Sequence, residues 1–382
     1  MAATIRDEKV LRCLREMIQI PSVNPSLVPG GAGEREMAHY LFHECRALGL
    51  ETCVEGPPDR PNVVAVLKGT GKGRSLMLCG HMDTVGVDGM EIDPFNASCC
   101  DGKVYGRGAV DMKGGLASIM GAIDALVNSG FQPRGDVVVA GVADEEYASE
   151  GMEDLVKRHR ADAAIVAEPS GLDIIIAHKG FAWFNVEVLG RRAHGSDYTS
   201  GIDAISRAGH VLRAFEDLGQ GLLDRPHPLV GPPSIHASII KGGRELSTYP
   251  DHCHVEFERR TVPGETREDI EAEVAQVLSG LEGQGVKTAR EVFFFRPGLE
   301  VSPGEPIIRS LQGASSSLGR EPRLVGQAGW MDTAILARSG IPSVLFGPGG
   351  EGLHASVEWV DFAQVLEAAR VLAGAVKDFC GG

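Results

Sequence analysis

The sequence lacks several features that would place it in common protein classes. It has no stretch of about 18–20 uncharged apolar residues, the length that a membrane-spanning helix needs, and its first residues carry no apolar secretory signal. Its 37 basic residues are outnumbered by 52 acidic residues, which gives a formal net charge of −15. This balance argues against binding to nucleic acids or anionic membranes. We therefore expect a cytoplasmic protein with neither as a partner.

The cysteines also form no recognisable site. None of the eight belongs to a Cys-x-x-Cys pair, so we expect neither a thiolate zinc site nor a disulfide framework. The chain carries no internal repeat and no low-complexity tract. At 382 residues, 43% of them hydrophobic, it can bury a large core. Disorder of the chain as a whole is therefore excluded.

Apolar strand candidates alternate with amphipathic helix candidates at both ends of the chain. The predicted helices are Ile5–Ile20, Gly33–Leu48, Lys113–Asn128, Pro306–Leu318, Met331–Arg338 and Phe362–Phe379. The predicted strands are Asn62–Leu67, Ser75–Cys79, Asp136–Val142, Ala163–Ala167 and Ser343–Phe346. Continuous apolar strands that alternate with helices are typical of an α/β sheet covered on both faces.

The pattern changes in the middle of the chain. Strand candidates at Ala182–Leu189, Ser234–Ile240 and Cys253–Phe257 are joined by helix candidates at Asp203–Leu218 and Arg267–Leu281. This order predicts a small α+β domain with one half-exposed sheet. We therefore predict an α/β core, residues 1–179 and 291–382, interrupted by an inserted α+β domain, residues 180–290.

Acidic and histidine side chains follow several of the predicted strands, where an open α/β sheet presents its ligand crevice. They are His81, Asp83, Asp111, Asp144, Glu145, Glu146, Glu168 and His354. Taken singly, each motif is more typical of a surface turn or, for Asp111, of a helix N-cap. Three adjacent carboxylates that face a cleft instead of solvent would need a cation to relieve their repulsion.

Taken together, these residues offer two imidazoles and at least three carboxylates. Such nitrogen and oxygen ligands suit Zn²⁺, Co²⁺ or Mn²⁺ better than Ca²⁺. Five ligands are too many for one open catalytic zinc site, but they suit two metal ions that share a carboxylate. Asp83 could accept the second imidazole N–H of His81 and so fix its tautomer. Of two adjacent glutamates, one can bind metal while the other acts on the metal's water.

The order of these motifs resembles the M20 family of co-catalytic zinc amidohydrolases. The matching elements are His81-x-Asp83, Asp111 within GRGAVDMKGG, Glu145-Glu146, Glu168 and His354. The resemblance covers essentially the whole chain from about Ile5. The family includes acetylornithine deacetylase, succinyl-diaminopimelate desuccinylase, aminoacylase-1 and glutamate-releasing carboxypeptidases. It implies a zinc-peptidase-like core with a mixed sheet flanked by helices, and a lid or dimerisation domain at residues 180–290.

The resemblance also implies a role for each residue of the site. His81 and Glu168 would bind one metal ion, and Glu146 and His354 would bind the other. Asp111 would bridge both ions, while Asp83 would orient His81. Glu145 would be the general base that takes a proton from the metal-bridging water and delivers it to the leaving amine.

Two further residues belong to the inserted domain. His194, within Arg191–Ser196, would stabilise the tetrahedral oxyanion, often in the active site of a partner subunit. Arg260 would clamp a substrate carboxylate bidentately. Without the resemblance, either residue would be interpreted as a surface charge.

Two details favour one branch of the family. Glu168 matches members that act on N-acyl amino acids and the carboxypeptidases, and Ser247–Asp251 is similar to the deacetylase and desuccinylase subgroup. We predict a homodimeric enzyme, with two zinc ions favoured over cobalt or manganese, that hydrolyses the amide bond of a small N-acyl amino acid. A carboxypeptidase or dipeptidase acting on short peptides with the same centre is the alternative among enzymes. A catalytically idle metal- or ligand-binding relative is the alternative of another class.

Overall fold

The computed structural model describes residues 4–381, which divide into two compact units. The first unit takes in the described residues up to Ile176, together with Val301–Val325 and the residues from Met331 onward. The second unit consists of Ala177–Glu300 and the short segment Gly326–Trp330. The predicted insertion, residues 180–290, falls within the second unit. Among residues 4–381, no helix is both long enough and apolar enough to cross a bilayer.

Helices and strands alternate along the described chain. The helices are α1 (Asp7–Gln19), α2 (Arg35–Ala47), α3 (Gly114–Asn128), α4 (Glu150–Arg158), α5 (Ala204–Leu222), α6 (Arg267–Glu282), α7 (Pro306–Ser316), α8 (Thr333–Arg338) and α9 (Phe362–Gly381). The strands are β1 (Glu51–Glu55), β2 (Asn62–Leu67), β3 (Leu76–His81), β4 (Cys99–Cys100), β5 (Lys103–Tyr105), β6 (Val137–Val142), β7 (Ala163–Val166), β8 (Ile174–His178), β9 (Gly180–Leu189), β10 (Ser234–Gly242), β11 (His252–Thr261), β12 (Lys287–Arg296), β13 (Leu299–Glu300), β14 (Leu324–Gln327), β15 (Ser343–Leu345), β16 (Gly350–Glu351) and β17 (Trp359–Asp361). Every predicted helix and strand overlaps one of these elements.

A mixed sheet forms the core of the first unit, as the sequence predicted. Its strands lie in the order β1-β2-β6-β3-β7-β15-β8. The central strand β3 is parallel to both β6 and β7, whereas β2 is antiparallel to β6. All residues of β3, β6 and β7 are buried, which explains why these strands appear in the sequence as continuous apolar runs. Because the three strands are parallel, their carboxyl ends meet at one edge.

Helices and a smaller sheet complete the first unit. The long helix α3 packs against both α1 and α9, and α2 packs against β1 and β2. The second sheet has the strand order β16-β17-β5-β4. In it β17 pairs with β5, so the chain that follows His354 is joined to the chain that precedes Asp111. The segments that carry these two residues are therefore neighbours in the fold.

The second unit is an α+β arrangement built on an antiparallel sheet in the order β10-β11-β9-β12. Burial alternates along β9 and β11, so one sheet face is enclosed and the other is partly exposed. The enclosed face packs with residues of α5 and α6 in a core whose stacked Phe184 and Phe257 rings lie 5.0 Å apart. The half-exposed sheet that period-two alternation predicted is therefore present in this unit.

Candidate metal centre

His81 is the last residue of β3 and is almost fully buried, with 2% of its surface exposed. Its Nδ1 donates a hydrogen bond to the backbone carbonyl of Asp83 at 3.0 Å, and the Asp83 carboxylate lies 3.5 Å away. The other ring nitrogen, Nε2, lies 3.1 Å from Asp111 Oδ1 and 3.7 Å from Glu168 Oε1. The backbone carbonyl of Asp83 therefore accepts this hydrogen bond, whereas the carboxylate was the expected acceptor. This arrangement directs Nε2 of His81 toward two carboxylates.

Asp111 lies in an irregular helical turn, Ala109–Lys113, and not at a helix cap. Helix α3 begins only at Gly114, and Asp111 has the non-helical torsions φ −118° and ψ 92°. Gly108, at φ +81°, supplies a left-handed conformation that favours glycine just before the turn. The two oxygens of Asp111 face different histidines, since Oδ2 lies 3.3 Å from His354 Nε2. The interpretation of Asp111 as a simple N-cap is therefore wrong.

The three adjacent acids after β6 are not a solvated turn. Asp144 is buried in the left-handed region at φ +69°, and its carboxylate lies 2.7 Å from Arg60. The backbone amides of Glu145 and Glu146 donate to the Asp83 carboxylate at 3.2 and 3.1 Å. Glu146 Oε2 lies 3.2 Å from His354 Nε2. These contacts turn the loop inward, toward the site formed by His81 and Asp111.

Glu168 and His354 complete the cluster. Glu168 lies two residues after β7, which is parallel to β3, and its side chain is buried at the carboxyl edge of the sheet. His354 lies in a loop at φ +58°, and its Nε2 is placed between carboxylates of Asp111 and Glu146. The structure therefore brings all five predicted metal ligands into one cluster.

Burial and mutual repulsion shift the ionisation of these groups. Burial raises the pKa of Glu168 to about 8, although the nearby His81 opposes the shift. Burial likewise raises the pKa of Glu145 well above its usual range, and Glu168 adds to the effect. The hydrogen bonds that the His354 imidazole donates to the carboxylates of Asp111 and Glu146 raise the pKa of His354 to about 10. The cluster therefore holds more carboxylate charge than its two histidines can neutralise. A bound cation would relieve the repulsion between these carboxylates.

The residues present fit two divalent cations. The ligand atoms of His81, Asp111 and Glu168 lie within 4.8 Å of one another, and so do those of Asp111, Glu146 and His354. Among the described residues, no hydrogen-bond partner reaches the buried Oε1 atom of Glu146. Nitrogen and oxygen ligands without thiolate are the set preferred by zinc and its neighbours among the metals. Sharing of Asp111 by both groups is the arrangement that a two-metal site uses.

The remaining predicted residues lie in the second unit. His194 is exposed, and its Nδ1 lies 2.8 Å from the Ser196 hydroxyl. Arg260 is the penultimate residue of β11, where its Nε donates to Glu258 at 2.6 Å. The guanidinium of Arg260 also lies 5.3 Å from the centre of the Phe181 ring. The contacts described for both residues are within this unit, and their catalytic roles stay predictions.

The sequence did not reveal several residues that form hydrogen bonds with the segments carrying the cluster. Asn24 donates to the Asp83 carboxylate at 2.8 Å and to Asp144 at 3.1 Å. Buried Glu358 accepts hydrogen bonds from the segment that carries Asp111, including one from Arg107 at 2.7 Å. The only signal for Arg107 was its place between two glycines of the GRG motif. Asn24 and Glu358 had none, because neither residue stands in a pattern that suggests chemistry.

Known proteins resemble this chain in both sequence and fold. Residues 77–378 match the sequence profile described as peptidase family M20/M25/M40. The acetylornithine deacetylase of Myxococcus xanthus is 32% identical over 333 residues, which cover 85% of each chain. The N-formyl-4-amino-5-aminomethyl-2-methylpyrimidine deformylase of Bacillus subtilis is 28% identical, with 85% of this chain and 84% of the relative covered. A tripeptidase structure from Staphylococcus aureus matches with a TM-score of 0.82 at 21% identity, covering 99% of this chain and 100% of that one. This last likeness shows a shared fold.

Proposed function

The chain belongs to peptidase family M20/M25/M40 and is a metal-dependent hydrolase, and from this premise we propose that it cleaves the amide bond of an N-acyl amino acid. The observation that supports the proposal best is that Asp111 belongs to both groups of possible ligands. Glu145 immediately precedes Glu146, a member of the second group. Substrates of this family lie among peptides and acyl amino acids. The amino acid would carry a free carboxylate.

We assign the ligands to two divalent cations, with zinc favoured and cobalt and manganese as alternatives. His81 and Glu168 would hold one cation, Glu146 and His354 would hold the other, and Asp111 would contact both. Bound there, the cations would polarise the amide carbonyl and acidify water. The buried environment strengthens these electrostatic effects, because little solvent screens the charges.

Glu145 is the proposed general base. It is adjacent to the proposed ligand Glu146 but belongs to neither ligand group, so cations in the site would leave its carboxylate available to accept a proton. The bond from its amide to Asp83 holds its backbone beside the cluster. Glu145 would take the proton of the attacking water and return it to the leaving nitrogen.

The second unit would contribute substrate contacts. Arg260 would bind the carboxylate of the amino acid, since a guanidinium can make two parallel bonds to it. Paired with Glu258, the Arg260 side chain is about one-third exposed, so part of it is accessible to solvent. His194 would stabilise the oxyanion through Nε2, because its Nδ1 already contacts Ser196.

The relatives favour deacylation over peptide cleavage. One is named an acetylornithine deacetylase and another an N-formyl-4-amino-5-aminomethyl-2-methylpyrimidine deformylase, so both names describe removal of a small acyl group. The proposal is tested by kcat/KM values for N-acetyl, N-succinyl and N-formyl amino acids, compared with dipeptides and C-terminal glutamate conjugates. Preferred turnover of one N-acyl series would support it. Cleavage of dipeptides alone would assign the enzyme to peptide hydrolysis.

We also propose that the protein forms a homodimer through strand β10. This strand is an edge of the antiparallel sheet of the second unit, and Ile239 and Ile240 are 40% and 52% exposed. A groove of about 430 Å³ beside it is lined by apolar residues such as Leu212, Phe215 and Ile235, together with the polar Arg213, Glu216 and His236. An exposed apolar edge strand is a template for strand pairing, and a second copy of β10 offers the same surface.

A further inference from the structure

Glu358 lies four residues after His354, immediately before β17, and its side chain is 0% exposed. Its Oε1 accepts hydrogen bonds from the backbone amides of Val110 and Asp111 at 3.0 and 3.2 Å. Its Oε2 accepts from the Gly108 amide at 3.0 Å and from Arg107 Nη1 at 2.7 Å. All four donors thus belong to one five-residue segment that ends at Asp111.

Arg107 joins this segment to the loop that carries His354. Its guanidinium is buried, and Nη2 donates to the carbonyl of Ala355, the residue after His354, at 3.1 Å. Its Nε donates to the carbonyl of Gly86 at 3.0 Å. The Gly106 amide adds a bond to the Glu358 carbonyl at 3.1 Å. Two chain segments more than two hundred positions apart in the sequence are therefore held together at this point.

These hydrogen bonds help to fix the positions of Asp111 and His354, because neither residue lies in a regular helix or strand. Asp111 is within an irregular turn, and His354 has a positive φ of 58°. The repeating hydrogen bonds of helix or sheet therefore do not fix either backbone, and other contacts must do so. Charge-assisted hydrogen bonds are roughly twice as strong as neutral ones, which suits a carboxylate for this purpose.

A buried ion pair elsewhere in the chain shows what distinguishes Glu358. In the second unit, buried Arg259 pairs with Glu265 at 2.7 Å and with Glu273 at 2.9 Å. Glu265 also accepts the Val262 amide at 2.8 Å. Both pairs therefore combine a buried arginine with a carboxylate that accepts a backbone amide. Only the Glu358 carboxylate, of these two, bonds to the backbone of a predicted metal ligand.

We propose that Glu358 is a positioning residue of the metal centre. Through its hydrogen bonds with Arg107 and with the Asp111 amide, Glu358 would hold the Asp111 carboxylate next to the His354 imidazole. The proposal rests on the proposed function, in that Asp111 and His354 are taken as ligands of one cation. The contact it would maintain is the 3.3 Å approach of Asp111 Oδ2 to His354 Nε2. Partners of this kind behind metal ligands contribute about 10- to 100-fold in metal affinity or activity.

The test compares the cobalt-loaded wild type with Glu358→Gln. The glutamine keeps the size of the side chain but directs an NH₂ group at donors that now face an oxygen. Each protein is titrated with a chelator while bound Co²⁺ is counted and its visible absorption recorded. We expect Glu358→Gln to release one of two Co²⁺ ions at about 10- to 100-fold lower chelator concentration, with an altered absorption band.

Glu265→Gln is the matched control, since it also weakens a buried arginine pair. We expect it to lower the thermal midpoint but to leave Co²⁺ affinity and absorption unchanged. If both variants lose Co²⁺ equally, or if folded Glu358→Gln retains both ions with the wild-type spectrum, the positioning role is wrong. Should Glu358→Gln fail to fold, Arg107→Lys replaces it, and unchanged Co²⁺ affinity would then overturn the proposal.

The same experiment separates this proposal from the proposed function. A wild type that binds two Co²⁺ ions but hydrolyses no N-acyl amino acid would contradict the proposed substrate, while the effect of Glu358→Gln on Co²⁺ affinity could still be measured. A wild type that binds no Co²⁺ would contradict both, because the ligand assignment would then be wrong.

Discussion

The carboxylate of Asp83 accepts a hydrogen bond from the backbone amide of Glu146 at 3.1 Å. The same carboxylate accepts the Glu145 amide at 3.2 Å, and the Asp83 carbonyl accepts Nδ1 of His81 at 3.0 Å. Asp83, two residues beyond the end of β3, therefore orients the predicted ligand His81 at the end of that strand. It also orients the proposed base Glu145 and the predicted ligand Glu146, which follow the neighbouring strand β6. Asn24 supports this arrangement with a bond to Asp83 at 2.8 Å.

This relationship predicts the effect of Asp83→Asn. The asparagine would direct an NH₂ group at one of the N–H donors that Asp83 now accepts, so the loop of Glu145 and Glu146 should shift. We expect about 10- to 100-fold lower activity together with weaker metal retention, measured by kcat/KM and by metal content after dialysis against a chelator. Asp88→Asn, at an exposed acid nearby, serves as the control. Wild-type metal retention in Asp83→Asn would contradict this role.

Glu145→Gln separates proton transfer from metal binding. The glutamine cannot accept the proton of water, but it keeps the backbone amide that bonds to Asp83. We expect kcat to fall by about 10²- to 10⁴-fold while metal content and the thermal midpoint stay near those of the wild type. Glu150→Gln, at an exposed acid five residues further along, should leave kcat unchanged. Turnover of Glu145→Gln within a few-fold of the wild type would refute its assignment as the base.

The ligand cluster could be predicted because it depends on sheet topology. His81, Glu145 and Glu168 follow strands that read as apolar runs, and parallel strands end at the same edge of a sheet. The predicted helix boundaries also lie near the observed ones. Helix α3 ends at Asn128 as predicted and begins one residue after the predicted start, Lys113. Periodicity and turn residues carry this information locally.

Other parts of the structure were not predictable from local patterns. Helix α4 is short and follows directly on the acidic loop, so its apolar spacing gave too little signal. The second unit extends to Glu300 because β12 pairs along β9, a long-range pairing that no local motif encodes. The supporting bonds of Asn24 and Glu358 likewise join residues far apart in the sequence. The sequence therefore indicated which residues form the cluster, but not what holds them in place.

The proposed dimer makes a direct prediction about Ile240→Lys. Placing a charge on the exposed edge of β10 should prevent a second copy of this strand from packing there, because the lysine would lose its hydration. We expect the wild type to scatter light as a dimer and Ile240→Lys as a monomer. Leu318→Lys, at an apolar residue of similar exposure in the first unit, should remain dimeric. A wild type that is monomeric and fully active would rule out the dimer.

The partly exposed face of the antiparallel sheet in the second unit should give a pH-dependent contribution to stability. His254 on β11 contacts Glu187 at 2.6 Å and Glu256 at 2.8 Å, with His252 beside them and Lys241 opposite on β10. The hydrogen bonds that His254 donates to the carboxylates of Glu256 and Glu187 raise the pKa of His254 above its usual value. The resulting stability is fully present below the unfolded pKa of about 6.5 and is lost as pH rises through the folded value.

This sign is tested by His254→Gln. We expect the substitution to lower the thermal midpoint more at about pH 6, where the wild-type imidazole is charged, than at about pH 9. The comparison uses the difference between wild type and variant at each pH, so that titration elsewhere in the chain cancels. An equal difference at both pH values would show that the charge of His254 does not stabilise the fold.

The most direct test of the proposed metal-dependent hydrolysis is to titrate metal-stripped protein with Zn²⁺ or Co²⁺ while hydrolysis of an N-acetyl amino acid is followed. We expect no hydrolysis without metal and a rise in activity that reaches its plateau at two equivalents of metal per chain, in the wild type but not in Glu145→Gln. Full hydrolysis by the metal-free protein would contradict the proposed function. So would two bound metal ions without hydrolysis of any N-acyl amino acid.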